Sequence, residues 1–385
     1  MLKKKTYQSI LLALLLLSGT LKPYFYAYVG NIDLVLIFSF LAFIDMLISK
    51  PVFSKYSFGS LLLLLLFSIY SIFTIAYSPS IHYYNDKLVG FILCWFYLIY
   101  PLSIKKFNPN IFIKTYMFVI IPLALFFIRM KSVLWINTNV TSSVFMELRS
   151  NYLGIGLHLG ILVIVMNYFK RYIYIQLLCL LLLFATSARG PFVFTLLVLL
   201  VINYKQLIYF FYNFKNYLKY LITPLLVMFF FREKIFIFFE NAMNRFDSLS
   251  GVDNSLNERL DMAIFAFNQP FDDLVTLFFG NGFASFGYLY NGLDARAYPH
   301  NLLLEIFFEL GLLGLLLFSV FLVLVLFKSI KNKTVFSFVL LFVILNSLKS
   351  YSLSDSWVLF AIMGMIISYK ITPQVQTTIT NNKLL

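Results

Sequence analysis

The sequence predicts an all-α fold: a polytopic transmembrane helical bundle of about 12 spans, with one large loop outside the membrane that carries short helices. Three observations point there. Apolar residues make up 61% of the 385 and charged residues only 12%, whereas a soluble domain carries roughly 25% charged residues to wet its surface. Mean hydropathy is +0.88. The apolar stretches run about 17 to 25 residues without alternation at period 2, which selects helices over a closed barrel. Those are the two folds that satisfy every backbone amide within lipid.

Taken in order, spans are expected near 6–22, 29–48, 58–77, 87–104, 111–128, 152–168, 172–187, 190–204, 216–231, 300–327, 334–348 and 354–370. The basic start at Lys3, Lys4 and Lys5 before an apolar run is like a signal peptide. No small-residue cleavage site follows, and Lys22-Pro23 leads into another span, so the first helix is read as uncleaved. The layout divides the chain into a membrane bundle over 1–231, an outer loop over 232–299, three closing spans over 300–370 and a tail over 371–385. The bilayer itself is then the main partner.

The charges agree with this alternation. With the N-terminus inside, more than half of the 30 basic residues fall in inner segments, as the positive-inside rule asks. Both termini are then cytoplasmic. The arginines behave differently from the lysines. Only Arg171 is inside, while Arg129, Arg149, Arg189, Arg232, Arg245, Arg259 and Arg296 fall at or beyond the outer boundary. Topology alone gives no reason for that. Arginine offers a planar fork that grips phosphate bidentately, whereas lysine is a point charge. An outward arginine cluster therefore suggests an acidic or phosphorylated substrate. The competing reading pairs Arg232 and Arg245 with acidic residues of the same loop, contacts that are common but weak.

The net charge of +14 also raises nucleic acid. No basic face with interleaved aromatics is present, so that class of partner is set aside. Cys94 and Cys179 both lie in apolar runs, and the histidines number 3. Neither a disulfide framework nor a metal cluster is expected from that material.

Within the outer loop, Ile235, Phe238, Phe239, Ala242, Phe246 and Leu249 stand at helical spacing, as in a helix lying on the membrane surface. Ser255-Leu256-Asn257-Glu258 fits a capping box. It opens a second helix with apolar positions Leu256, Leu260, Ala263, Ile264 and Phe267, ended by Pro270. Gly280-Asn281-Gly282 reads as a tight turn.

The stretch from Arg296 to Gly314 carries the chemistry. Pro299 ends the loop and a helix enters the membrane. At 100° per residue His300, Leu304, Phe307, Gly311 and Gly314 share a stripe, beside a polar stripe of Asn301, Glu305 and Glu309. The two glycines allow another helix to approach closely. Glu305 and Glu309 lie about 7 and 13 Å into the helix at ~1.5 Å per residue. Charges at that depth face a protein interior or a wet cavity; they serve either packing or catalysis. His300 sits at the mouth of this helix, where an imidazole can take a proton from a hydroxyl nucleophile, or be an ordinary interfacial residue. His82 and His158 have no such company. Ser187-Ala188-Arg189-Gly190-Pro191 marks a second outer turn. There Arg189 opens a helix whose free amides and dipole attract anions, with a snorkelling arginine as the competing explanation.

These motifs, in this order, resemble those of the bacterial O-antigen polymerase (Wzy) and O-antigen ligase superfamily. The resemblance is carried by His300-Asn301 followed by Gly311-x-x-Gly314, by Ser187-Ala188-Arg189-Gly190 ahead of the large loop, and by Arg259 and Gly280-x-Gly282 between them. It covers roughly residues 150–330. What it implies is a GT-C-like inner-membrane enzyme with a periplasmic loop, transferring sugar chains from undecaprenyl pyrophosphate without metal or other cofactor. A polymerase moves the growing chain onto the next lipid-linked repeat unit; a ligase moves it onto lipid A core. The resemblance puts His300 as base or acceptor-orienting group and Arg189 and Arg259 on the pyrophosphate. Position alone adds Arg296 to the binding residues and Glu305 to the catalytic ones. A chain-length regulator protein is a further expected partner. A transporter or flippase is the reading from another class; such proteins show two related halves, and none are visible here.

Overall fold

The computed structural model describes residues 2–30, 32–53, 55–136, 148, 151–212, 254–332 and 334–368. Every regular element among them is helical. In chain order they are α1 (Leu2–Tyr28), α2 (Leu34–Ser49), α3 (Lys55–Phe73), α4 (His82–Ser103), α5 (Pro109–Ile136), α6 (Tyr152–Tyr168), α7 (Ile173–Ala185) and α8 (Arg189–Tyr212). Then come α9 (Asn254–Asn268), the short α10 (Leu274–Phe279) and α11 (Phe286–Asn291), the long α12 (Leu302–Asn332), α13 (Val335–Ser350) and α14 (Trp357–Ile367). Each span expected among these residues coincides with a helix. The expected span at 216–231, the surface helix at 235–249, Arg149, Arg232, Arg245 and the tail at 371–385 lie outside the described residues.

Five of the helices are long and apolar enough to cross a membrane: Tyr7–Tyr28, Phe58–Ala76, His82–Ser103, Pro109–Met130 and Leu302–Asn332. Large apolar side chains such as Leu36, Phe40, Leu47, Leu200, Leu316 and Phe327 are more than half exposed. An apolar belt of this kind marks lipid as the solvent. Helix ends, whose first amides have no intrahelical partner, are closed by local side chains. Asp33 accepts from the amides of Val35 and Leu36, Asn108 from Asn110 and Ile111 ahead of α5, and Asn301 from Leu303 and Leu304 at 3.0 and 3.1 Å.

The connections gather at two ends of the bundle. At one, Gln8 donates to Asp45 and Ser49 and accepts from the amides of Lys105 and Lys106, and Lys328 Nζ donates to the Ile367 carbonyl. At the other, Asn151 donates to the Thr20 carbonyl, Ser80 donates to Asp294, and Arg296 pairs with Asp355. The alternation of spans expected from the charges has this same two-ended order.

Four expectations change. The helix carrying His300 starts two residues later, at Leu302, because Asn301 caps it while His300 holds a left-handed φ of 54°. The stripe from His300 to Gly314 is also interrupted, since Gly311 (φ 62°, ψ −165°) breaks α12. The carbonyls just before the break lose their helical donors and find others. Phe308 O accepts from the Asn281 amide at 3.1 Å and from Asn281 Nδ2 at 3.0 Å. Glu309 O accepts from the Gly282 amide at 2.8 Å, and Leu310 O from the Tyr70 hydroxyl at 3.1 Å. The Gly280-Asn281-Gly282 turn is thus more than a turn: it docks on the broken helix backbone to backbone. The helix opened at Asn254 also presents a different face from the one its spacing predicts. Leu260, Ile264 and Phe267 are about half exposed, while Ala266 is buried with Phe286 and Phe308.

A Cβ on Gly311 would run into the Phe278 carbonyl and the Gly280 amide. Its backbone also sits where only glycine is comfortable, a strain of about 1–3 kcal/mol for other residues. Gly311→Ala is therefore expected to lower the melting temperature of the purified protein well below that of Gly292→Ala, where φ is 71° but nothing lies within 4 Å. Equal melting of the two variants would contradict the docking account.

Candidate active site

Lys87 enters the bundle from the start of α4 and is buried, with 0% of its side chain exposed. Its ammonium bonds Glu305 Oε1 and both carboxylate oxygens of Glu309, the latter at 2.6 Å each. The two acids stand one helical turn apart on α12, so one cation reaches both. The remaining capacity is used as well. Glu305 Oε2 accepts from the Leu353 amide at 2.8 Å and Glu309 Oε2 from the Ala284 amide at 2.9 Å. The Lys87 ammonium also lies 5.0 Å from the ring centre of Phe283. Charges taken out of water are tolerable only when paired and hydrogen-bonded in this way. Glu305 therefore holds Lys87 and the 353 turn, and its side chain is 1% exposed.

Above this cluster lie the loops. Leu353 begins a 3-10 turn ending at Asp355, and Asp355 pairs with Arg296 at 2.5 Å. The Arg296 guanidinium sits 5.7 Å from the ring centre of Tyr298, and that ring packs on His300 with centroids 4.5 Å apart. Asp294 accepts from Ser80 Oγ and from the amides of Ile81, His82 and Tyr83, closing the start of α4 from across the chain. Those bonds outweigh its burial and hold its carboxyl down at about 2.

His300 Nδ1 is buried with no hydrogen-bond partner among the described residues. Burial first, then the positive charges of Arg259 and Arg296, push its pKa down to about 4. The ring is neutral near pH 7 and able to accept a proton. Arg189 opens α8, and a Cβ on the next residue, Gly190, would stand 3.0 Å from Lys349 Nζ. Arg189 and Arg259 both act electrostatically on Lys349, and Arg259 on His300. Arg189, Lys349, Arg259 and Arg296 thus form a cationic arc that runs past a neutral imidazole, with Arg259 and Arg296 acting on it directly. Several cations in one place with few anions among them suit a polyanionic ligand.

Of the residues expected from sequence, the structure brings together Arg189, Arg259, Arg296 and His300, and places Glu305 beneath them. Arg129 is exposed on α5. Sequence reading missed Lys87, Lys349, Asp294 and Asp355. Lys87 had a usable signal: two intramembrane carboxylates demand a cation at similar depth, and Lys87 stands at the outer edge of an apolar run. The other three are set by contacts between segments far apart in sequence. No group of three or more His, Cys, Asp or Glu gathers as a metal site among the described residues.

If the arginines depress the His300 pKa, neutralising them must raise it. Histidine NMR titration of the free protein should show His300 changing charge near pH 4. Inorganic pyrophosphate should move that midpoint upward, toward the ordinary ~6.5. A midpoint near 6.5 that ignores pyrophosphate would contradict this electrostatic picture.

Comparison with known proteins bears on the same residues. Residues 174–319 match the family model described as O-Antigen ligase (Wzy_C). That segment contains Arg189, Arg259, Arg296, His300, Glu305 and the break at Gly311, and it stops short of Lys349 and Asp355. No curated protein matches the chain. Over residues 174–319 the chain is thus similar to the O-antigen ligase family.

Proposed function

We propose that this protein is an O-antigen polymerase of the bacterial inner membrane. It has about 12 spans, cytoplasmic termini and a periplasmic catalytic face. Its donor is an oligosaccharide chain on undecaprenyl pyrophosphate and its acceptor the next lipid-linked repeat unit. The observation that carries the reading is the cationic arc of Arg189, Arg259, Lys349 and Arg296 that runs past His300 at one end of the bundle.

The chemistry asks for little more. The acceptor hydroxyl oxygen attacks C1 of the donor sugar and gives its proton to His300. The bond from C1 to the phosphate oxygen breaks, and its electron pair leaves with the pyrophosphate. Arginine forks stabilise that departing charge, the kind of electrostatic contribution that is commonly the largest in catalysis. A positioned base adds roughly 10²–10⁴-fold. With a pKa of about 4, His300 is a weak base in the free protein. Bound pyrophosphate offsets the arginines and raises its basicity when the proton must move. Glu305 acts by holding Lys87 and the 353 turn. The polyprenyl tail stays in lipid, which explains a site at the end of a membrane bundle.

The ligase reading, transfer to lipid A core, fits the matched family equally and uses the same site. Transport finds less support: a cavity opens between the start of α4 and the 294–296 and 354–357 segments, where a transferase site is expected.

A lipopolysaccharide gel separates these readings. Cells lacking the gene should show core bearing a single repeat, restored to a ladder by wild type and not by His300→Ala or Arg189→Ala at equal protein level. Bare core with polymer retained on the carrier would identify a ligase instead. Normal ladders from both variants would remove those side chains from the mechanism.

A further inference from the structure

The cavity of about 480 Å³ between α4 and the 294–296 and 354–357 segments shares Arg296 with the cationic arc and Lys87 with the buried charge cluster, and the rest of its lining belongs to neither. Tyr83, Asp86, Asp294, Arg296, Asp355 and Trp357 line it, and Arg189, Arg259 and Lys349 do not. Its size falls in the range of small-molecule sites. We propose that it is the subsite for the acceptor saccharide, binding the sugar through its hydroxyls and ring faces; this rests on the transferase reading above.

The chemistry of the lining separates it from the donor site. Three carboxylates stand against two cations, and one of those, Lys87, is already neutralised by Glu305 and Glu309. A diphosphate is repelled from such a surface and drawn to the arc beside it. A neutral polyol suits it: carboxylate oxygens accept from hydroxyls, and the Tyr83 and Trp357 rings offer apolar surface with polar tips.

A second observation points to a ligand. Tyr83 is only 7% exposed, yet its hydroxyl is buried without a hydrogen-bond partner among the described residues. A native protein rarely leaves a buried hydroxyl unmatched, because doing so forfeits the hydrogen bonds it had in water. Here a ligand hydroxyl in the cavity supplies the missing partner. Placement fits transfer as well. Arg296 lines the cavity and lies over Tyr298, whose ring packs on His300. An acceptor that extends from the cavity past Arg296 and Tyr298 reaches the residue proposed to take its proton.

The test is calorimetric titration of the full chain in lipid nanodiscs with two probes. One is inorganic pyrophosphate; the other is the phosphate-free oligosaccharide released by mild acid from the producing cells' surface polysaccharide. Tyr83→Phe removes only a hydroxyl that has no partner, and Asp86→Asn alters an exposed side chain, so both variants should fold. Each is expected to weaken oligosaccharide binding by about 2- to 10-fold, the weight of one hydrogen bond, and to leave pyrophosphate unchanged. Arg189→Ala should do the reverse. Oligosaccharide binding that is absent in wild type, or indifferent to both cavity variants, overturns the subsite even if transfer activity is found. Cavity-dependent binding by a protein without transfer activity upholds the saccharide site and overturns the transferase reading.

Discussion

Lys87 sits between Glu305 and Glu309 in a place where none of the three charges has water to fall back on, and much of the architecture around the site follows from satisfying them. The ammonium uses its donors on the two carboxylates, and each carboxylate turns a remaining oxygen to a backbone amide, of Leu353 or Ala284. One cluster therefore ties α4 and α12 to two segments that have no regular structure to place them. Replacing Lys87 by an apolar residue leaves two buried carboxylates uncompensated, a loss of about 3–5 kcal/mol in measured cases of broken buried pairs. The Leu353 contact sets the 3-10 turn, the turn presents Asp355, and Asp355 holds Arg296 over Tyr298 beside His300. The catalytic surface is in this sense hung from a charge cluster buried below it.

The break at Gly311 is the second half of the same construction. A continuous helix would keep the carbonyls of Phe308, Glu309 and Leu310 for itself. Interrupted, it offers them to Asn281, Gly282 and Tyr70. The loop is held by backbone hydrogen bonds, whose geometry depends little on side-chain motion. Ala284, whose amide meets Glu309, lies two residues past that contact. Helix break and charge cluster thus fix one loop from two sides, and glycine at 280 and 311 is what lets the backbones touch.

Sequence and structure divide along a physical line. The helices were legible because their cause is local: apolar runs of membrane length. The arginines were legible as a set because their charge stands on the side where topology does not require it, and His300 because it sits at the mouth of a helix beside them. Lys349 and Asp355 were not, since a lysine at a helix end and an acid in a turn carry no signal until the packing of α8, α13 and the 296 loop is known. The helix start at Leu302 was off by two residues because the pattern cannot distinguish a residue in the left-handed region, such as His300, from a helical one. The Gly311 break was hidden for a related reason. Glycines spaced along an apolar run look the same whether they admit a neighbouring helix or a loop.

The site that results has two electrical halves sharing Arg296: a cationic arc suited to a leaving pyrophosphate and an acidic cavity suited to hydroxyls. The measurement that tests this most directly uses the purified protein in liposomes with a labelled oligosaccharide on a polyprenyl pyrophosphate carrier and an unlabelled lipid-linked acceptor. The account predicts that label moves to the acceptor as free carrier pyrophosphate appears, and that Arg189→Ala abolishes this transfer while the fold is kept. Label that remains on its carrier and is instead found on the opposite leaflet would contradict it, and would make the protein a transporter.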